Sequence, residues 1–427
     1  MEKKYFEQLN ETLYFEELEN GLKVYILPKQ GYNKTYATFT TKYGSIDSEF
    51  IPLGKDEKLI VPDGIAHFLE HKLFEKKDGD VFQVFSKQGA SSNAFTSFTR
   101  TAYLFSATNN VEQNLMTLID FVQDPYFSDQ SVEKEKGIIG QEIKMYEDNP
   151  DWRQYFGMIA NLYGKHPVRT DIAGTVESIS KITKELLYTC YETFYHPSNM
   201  LFFVVGPVDP DKTMNLIKEN QSKKNFKDAN EIKRFFPEET PESAEKKKVL
   251  HMNVQSSKVL VGVKDYSAPK GGSELLKHEL SISVLLDYLF GKGSNTYQQM
   301  YEDGLIDDTF SYDYSAENGF AFAIIGGDST SPEKLSEKIK EVLLDSKNHQ
   351  WEKEIVDRVV KKKIGGFLRS LNSPEYIANQ FTRYAFLDMH LFDIVSVLQS
   401  ISVEDLKESA SHLINEDYMS EFFVLPH

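Results

Sequence analysis

His67, Glu70 and His71 stand in the order His-x-x-Glu-His within the run Gly64-Ile65-Ala66-His67-Phe68-Leu69-Glu70-His71. Two imidazoles four residues apart project from one face of an α-helix, with the carboxylate just before the second. Neutral imidazole nitrogens are zinc donors, and a catalytic zinc keeps one position open for water, beside which a glutamate can serve as general base. The order inverts the commoner His-Glu-x-x-His. Ten histidines in 427 residues place a pair at this spacing by chance fairly often. Glutamate at the third place reduces that chance to roughly a few per cent. The chemistry suggested is zinc-assisted hydrolysis, and the rest of the chain must supply a further ligand.

The candidate lies some seventy residues on. Ser131 to Ile143 reads as a helix by charge and periodicity, despite Gly137 and Gly140. Glu135 and Glu142, seven apart, share a face two turns apart. A run this charged also describes an exposed, salt-linked helix, and Glu133 and Lys134 are read that way. Glu142 is the candidate third zinc ligand.

The elements that must position these residues are legible in outline. Asn20-Gly21 marks a turn before the alternating run 22–27, and a second strand covers 35–40. A polar loop, 49–63, ends at Pro62-Asp63-Gly64, with Asp63 placed to cap the motif helix. Helix 80–87 ends near Gly89. Ala90 to Phe98 and Arg100 to Ser106 read as adjacent strands, the first a candidate sheet edge. Helix 111–123 follows, and the strand 200–206 leads through Asp209-Pro210 into helix 211–219.

The composition changes at 221–248, where Lys223-Lys224, Lys233-Arg234 and Glu245-Lys246-Lys247-Lys248 suggest a charged interdomain linker. Beyond it the plan of the first half recurs without its motif. Strand 259–263, the amphipathic helix 273–290 and strand 319–327 follow a similar order, the last running into a helix near Pro332 much as strand 200–206 runs into helix 211–219. A duplication is expected, with domains 1–220 and 249–427. The fold class expected is α+β, with two homologous domains, each a mostly antiparallel sheet covered by helices.

A net charge of −17 argues against a nucleic-acid surface, which needs clustered Lys and Arg. The single cysteine, Cys190, excludes an intramolecular disulfide and a Cys-rich metal site. The N-terminal residues carry acids and no apolar run, so a cytoplasmic enzyme with no membrane span is expected.

The chain resembles the inverted-zincin metallopeptidases of the pitrilysin, insulin-degrading and mitochondrial processing peptidase family. The resemblance covers almost the whole length and is most specific in 64–71, in Gly89 to Thr96 with Asn93-Ala94 at its centre, and in Glu135 to Glu142. It implies that His67 and His71 bind Zn2+, that Glu142 is the third ligand, and that Glu70 is the catalytic base. It also implies that Glu135 supports the site without holding the metal. The spacing from His71 to Glu142 is a few residues shorter than is usual in the family, which keeps Glu135 and Glu147 as alternative ligands. Related peptidases take their substrate as an added strand, a role that falls here to Asn93, Ala94 and Phe95.

One departure carries weight. Active members place an Arg and a Tyr from the second half over the substrate. The matching stretch here, 299–308, has Tyr301 at the Arg position and Asp307 or Asp308 at the Tyr position, with Tyr312 and Tyr314 out of register. The chain thus resembles half of the family's clam shell. The resemblance implies an endopeptidase for short or unfolded peptides that completes its site with a homologous partner subunit supplying the Arg/Tyr pair, or with a second copy of itself. A rival expectation is a non-catalytic assembly or peptide-binding subunit. A closed structural zinc site fits less well, since such sites usually contain cysteine.

Overall fold

The computed structural model describes residues 1–77, 79–227 and 231–427. They fall into two compact units, neither continuous in sequence: Met1–Ile143 with Asp171–Phe236 and Ser370–Phe386, and Lys144–Thr170 with Pro237–Arg369 and Leu387–His427.

The first unit is built on a seven-stranded sheet. From one edge its strands run Glu2–Phe6, Glu11–Glu17, Lys23–Pro28, Met200–Gly206, Thr35–Thr41, Thr101–Ala107 and Ala90–Thr96. Every pairing is antiparallel except that of Lys23–Pro28 with Met200–Gly206. The two central strands, TYATFTT and MLFFVVG, are buried at every residue. Strands covered on both faces lose the alternation of a half-exposed sheet, which is why these read as continuous β-branched and aromatic runs. One face packs Tyr25 and Phe203 against Phe381 of the helix Pro374–Phe386, with ring centroids 4.8 and 4.7 Å away. On the other face Phe39 meets Phe202 edge-on, at 5.3 Å.

The second unit has a five-stranded sheet in the order Lys247–His251, Met419–Leu425, Ser257–Lys264, Phe320–Ser329 and Ser311–Glu317. Its first pair is parallel and the others antiparallel. This is the order of the last five strands of the first sheet, to which the first unit adds the hairpin 2–17 at one edge. The repetition expected from the sequence is thus present in the topology. One correspondence is corrected: the counterpart of Met200–Gly206 is Met419–Leu425, whereas Phe320–Ser329 occupies the place of Thr101–Ala107.

The unit boundaries also differ from the expected split at 220 and 248. The helix Pro150–Leu162 packs on the second sheet, where Gly157 lets Phe422 approach so closely that a Cβ would lie 2.3 Å from its ring. The helix Pro374–Phe386 packs on the first sheet. Each helix finds its apolar neighbours outside its own half of the sequence, something hydrophobic period alone does not reveal. The described part of 221–248 is anchored as well. Arg234 pairs with the buried Asp47 at 2.8 Å, and Phe235 N donates to Glu49 O. Further on, the Glu239 carboxylate accepts from the backbone N–H groups of Gly164, Lys165 and His166.

The motif helix runs Ile65–Phe74. Its N-cap is Gly64, with φ of 88°, and no side chain caps it; the expected Asp63 cap is not made. Asp63 instead uses its backbone carbonyl to accept from Ser178 Oγ. The sharp entry needs glycine twice over, since a Cβ at Gly64 would also sit 2.4 Å from Ala173 O. We expect Gly64→Ala to destabilise the chain by about 2–4 kcal/mol, read from denaturant unfolding; a loss below about 0.5 kcal/mol would show that the entry tolerates a side chain.

Candidate metal centre

The motif helix buries Ile65, Phe68, Leu69 and Leu73 and turns His67 and His71 toward the helix Asp129–Glu147. The two rings lie edge to face, with centroids 4.5 Å apart. His67 Nε2 is 3.9 Å from Glu142 Oε1, and His71 Nε2 is 3.7 Å from Glu142 Oε2. Donor atoms from His67, His71 and Glu142 all lie within 4.8 Å of one another, the one such grouping of His, Cys, Asp or Glu among the described residues. Glu147, the alternative ligand, is outside it.

Glu135, the other alternative, has a different place. Its Oε1 lies 3.1 Å from His71 Nδ1, the ring nitrogen opposite the one that faces Glu142. Its Oε2 lies 3.9 Å from the ammonium of Lys72, whose side chain is wholly buried and also paired with Glu75. A carboxylate behind a ligating imidazole fixes the tautomer and the ring plane. His67 has no such support: its Nδ1 is buried with no hydrogen-bond partner among the described residues, so packing alone orients it.

Burial, reinforced by the neighbouring His71, holds His67 well below the ordinary imidazole range, in the neutral form a metal needs. Burial also lowers His71, but the Glu135 hydrogen bond and the nearby Glu70 and Glu142 carboxylates outweigh it and leave it raised. Glu70 is 8 % exposed, and burial pushes it up to about 7 against the opposing pull of Thr96 and His71. Two imidazoles and a carboxylate on rigid helices, with no thiolate, form a donor set that fits zinc of the catalytic kind.

Thr96 was not singled out by sequence. Its Oγ1 donates to Glu70 Oε2 at 2.7 Å, aiming the carboxylate from the end of the strand Ala90–Thr96. The signal was available, since alternation along that strand puts Thr96 and Ala94 on one face. Asn93 and Phe95 take the other face, where Arg100 stacks over the Phe95 ring at 5.7 Å. The strand is the last in its sheet and pairs with Thr101–Ala107 alone. Asn93 Oδ1 accepts from the backbone N–H of Ala94 at 2.9 Å.

In the second unit Tyr301 is 58 % exposed on the helix Asn295–Glu302. Asp307 accepts from Thr309, and Tyr314 donates to the buried Asp265 at 2.7 Å. The stretch 299–308 presents no arginine.

Comparison with known proteins identifies the family to which this fold, with its paired-helix site beside an open sheet edge, belongs. Residues 61–176 match the family described as Insulinase (Peptidase family M16), and residues 181–363 match its companion, Peptidase M16 inactive domain. The chain is 63% identical over 421 residues to the uncharacterized zinc protease YmfH of Bacillus subtilis (strain 168), covering 99% of this chain and 98% of that one. The crystal structure of an M16-like peptidase from Alicyclobacillus acidocaldarius superposes with a TM-score of 0.94 at 41% identity, covering 98% of this chain and 99% of its own. The periplasmic protease PqqL of Escherichia coli shares the fold, with a TM-score of 0.73 at 17% identity, over 100% of this chain and 48% of that one. The chain belongs to peptidase family M16, the pitrilysin and insulinase family. Among the described residues no helix is long and apolar enough to cross a membrane.

Removing the Glu135 carboxylate should weaken the metal site without abolishing it. Glu135→Gln is expected to lower zinc affinity about 10–100-fold, and Glu142→Ala to lower it further, both by competition with a chelating dye. Equal affinities in Glu142→Ala and wild type would remove Glu142 from the ligand set. Glu70 yields a separate expectation for the metal-stripped protein. Its folded pKa lies above the unfolded value, so the stability it contributes is present below pH 4.5 and lost as pH rises through about 7. Metal-stripped Glu70→Gln should therefore melt above metal-stripped wild type at pH 8, by on the order of 2 kcal/mol, with the gap closing toward pH 4.5. A gap independent of pH would contradict this.

Proposed function

We propose that this chain is the metal-bearing subunit of a zinc-dependent endopeptidase that cleaves short or unfolded peptides, leader or precursor segments among them. The observation that carries the reading is Glu70, nearly buried, aimed by Thr96 and set on the same helix as His67 and His71. A scaffold has no need for such a base.

His67, His71 and Glu142 would hold the metal. Zinc bound there supplies Lewis acidity, which lowers the pKa of a water molecule and polarises a carbonyl. Glu70 takes the proton of the attacking water on its carboxylate and later delivers it to the leaving amine. Glu135 holds His71 in the tautomer that leaves Nε2 free to ligate. The strand Ala90–Thr96 offers its open side to an extended peptide, and Ala94 N–H becomes a donor to the substrate backbone once Asn93 releases it. Backbone pairing of this kind makes few sequence demands. The net charge of −17 favours basic peptides through long-range steering that salt weakens.

Three observations support a second subunit. The stretch that should supply an Arg and a Tyr to the oxyanion carries Tyr301, Asp307 and Asp308, and the second half matches a domain described as inactive. The fold also spans 48% of PqqL, so a chain of that length has room for two such units. A homologous subunit bearing the Arg/Tyr pair would complete the site as a heterodimer, with a homodimer as the alternative.

Glu70→Gln should lower peptide turnover about 10²–10⁴-fold while zinc content stays unchanged. Unaltered cleavage would sink the catalytic reading in favour of a binding subunit. The purified chain alone should cleave slowly and gain rate when a co-purifying homologue is added; full activity alone would rule out the need for a partner.

A further inference from the structure

The second unit contains a polar cavity of about 500 Å³, remote in sequence from the metal motif and unused by the chemistry above. It lies between the N-terminal half of the helix Gly272–Phe290 and the helices Ile394–Ser400 and Val403–Leu413. Its volume falls in the range of small-molecule sites.

Two largely buried serines line it. Ser281 and Ser409 are 3 % and 6 % exposed and contribute their hydroxyls to the cavity wall. Hydroxyls that line a cavity mark where a polar ligand would be received. His278 also lines the cavity, and it is anchored from behind: its Nε2 lies 2.6 Å from Asp265 Oδ2, which also accepts from the Tyr314 hydroxyl at 2.7 Å. Ser267 donates to Asp265 Oδ1 through both N–H and Oγ. Asp265, fully buried and holding four donors, fixes the imidazole with Nε2 occupied and Nδ1 free of that anchor.

The charge of the walls selects the ligand. Lys277 is the one basic ammonium lining the cavity, and Asp405 neutralises it at 2.6 Å. Glu274 and Glu408 are exposed at the wall, with no ion-pair partner among the described residues. The walls therefore present two uncompensated carboxylates, hydroxyls and the imidazoles of His278 and His412. They do not form a metal site, because no His, Asp or Glu grouping here is compact enough to share an ion. We propose that this cavity binds an organic cation, an ammonium or guanidinium group that donates to Glu274 and Glu408 while its remaining polar atoms meet Ser281, Ser409 and His278. The group can belong to a free polyamine or to a basic side chain of a peptide.

Calorimetric titration of the purified full chain tests this with spermidine, arginine amide, an acetylated and amidated tripeptide centred on arginine, and citrulline amide as the uncharged control. Saturable binding of at least one cation is expected, about tenfold or more above citrulline amide, since the uncharged control loses its charged hydrogen bonds to the carboxylates. Tighter binding of spermidine points to a free polyamine, and of the tripeptide to a peptide side chain. The double variant Glu274→Gln/Glu408→Gln alters exposed residues, so its melting temperature should hold while cation binding falls at least about tenfold. Ser281→Leu, which fills the cavity, should reduce binding in the same way. No saturation at millimolar ligand, equal binding of citrulline amide, or binding untouched by the double variant would overturn the proposal. None of these readouts depends on peptide cleavage.

Discussion

A buried ammonium ties the metal centre together. Lys72 has no exposed side-chain surface, and an uncompensated charge there would cost several kcal/mol. It is met by Glu75 on its own chain segment, and by Glu135 at 3.9 Å and Ser131 O at 3.5 Å on the acidic helix. Glu135 also holds His71, so one carboxylate links the motif helix to its neighbour at two points. With that link made, helix geometry carries the rest: seven residues later Glu142 emerges on the same face, opposite both imidazoles. A slip of one turn, about 5.4 Å, would part Glu142 from the histidines and strand Lys72 without its counter-charge.

The candidate metal donors, and the carboxylate behind one of them, were legible because each rests on local period. His67 and His71 are one turn apart, and Glu135 and Glu142 two turns apart, on helices whose charge and apolar spacing show in the sequence. Which acidic residue would meet the imidazoles was less legible, since His71-to-Glu142 spacing left Glu135 and Glu147 open. Thr96 and Lys72 escaped notice for the same reason. A threonine ending a strand and a lysine in a helix mean nothing until tertiary packing sets one against Glu70 and the other against Glu135. The Asp63 cap failed because Gly64, in a left-handed conformation, is itself the N-cap residue, which leaves Asp63 one position too early and the cap position without a side chain.

The fold shows the same division between local and long-range information. Seven of the twelve strands in the two sheets, and the recurrence of a similar plan in the second half, followed from apolar runs and turn residues, whereas Glu2–Phe6, Glu11–Glu17, Lys247–His251, Ser311–Glu317 and Met419–Leu425 did not. The allotment of helices 150–162 and 374–386 did not, because each covers the sheet built mostly from the other half of the sequence. Within the second unit the residues that resemblance would recruit to catalysis are otherwise engaged. Tyr314 serves the buried Asp265, and Tyr301 stands exposed in a stretch, 299–308, whose sequence holds no arginine. This unit repeats the sheet of the first, and its buried Asp265 holds His278 at the wall of the polar cavity.

The central claim is that one carboxylate and two imidazoles, drawn from two helices of a single unit, form the metal site. X-ray absorption at the zinc edge of the zinc-loaded chain tests it most directly. The account predicts a first shell of two imidazole nitrogens and light oxygen donors at about 2.0–2.2 Å, with no sulfur, and loss of one oxygen donor when Glu142 is replaced by alanine. A shell containing sulfur, a third imidazole, or a spectrum unchanged by that replacement would contradict it.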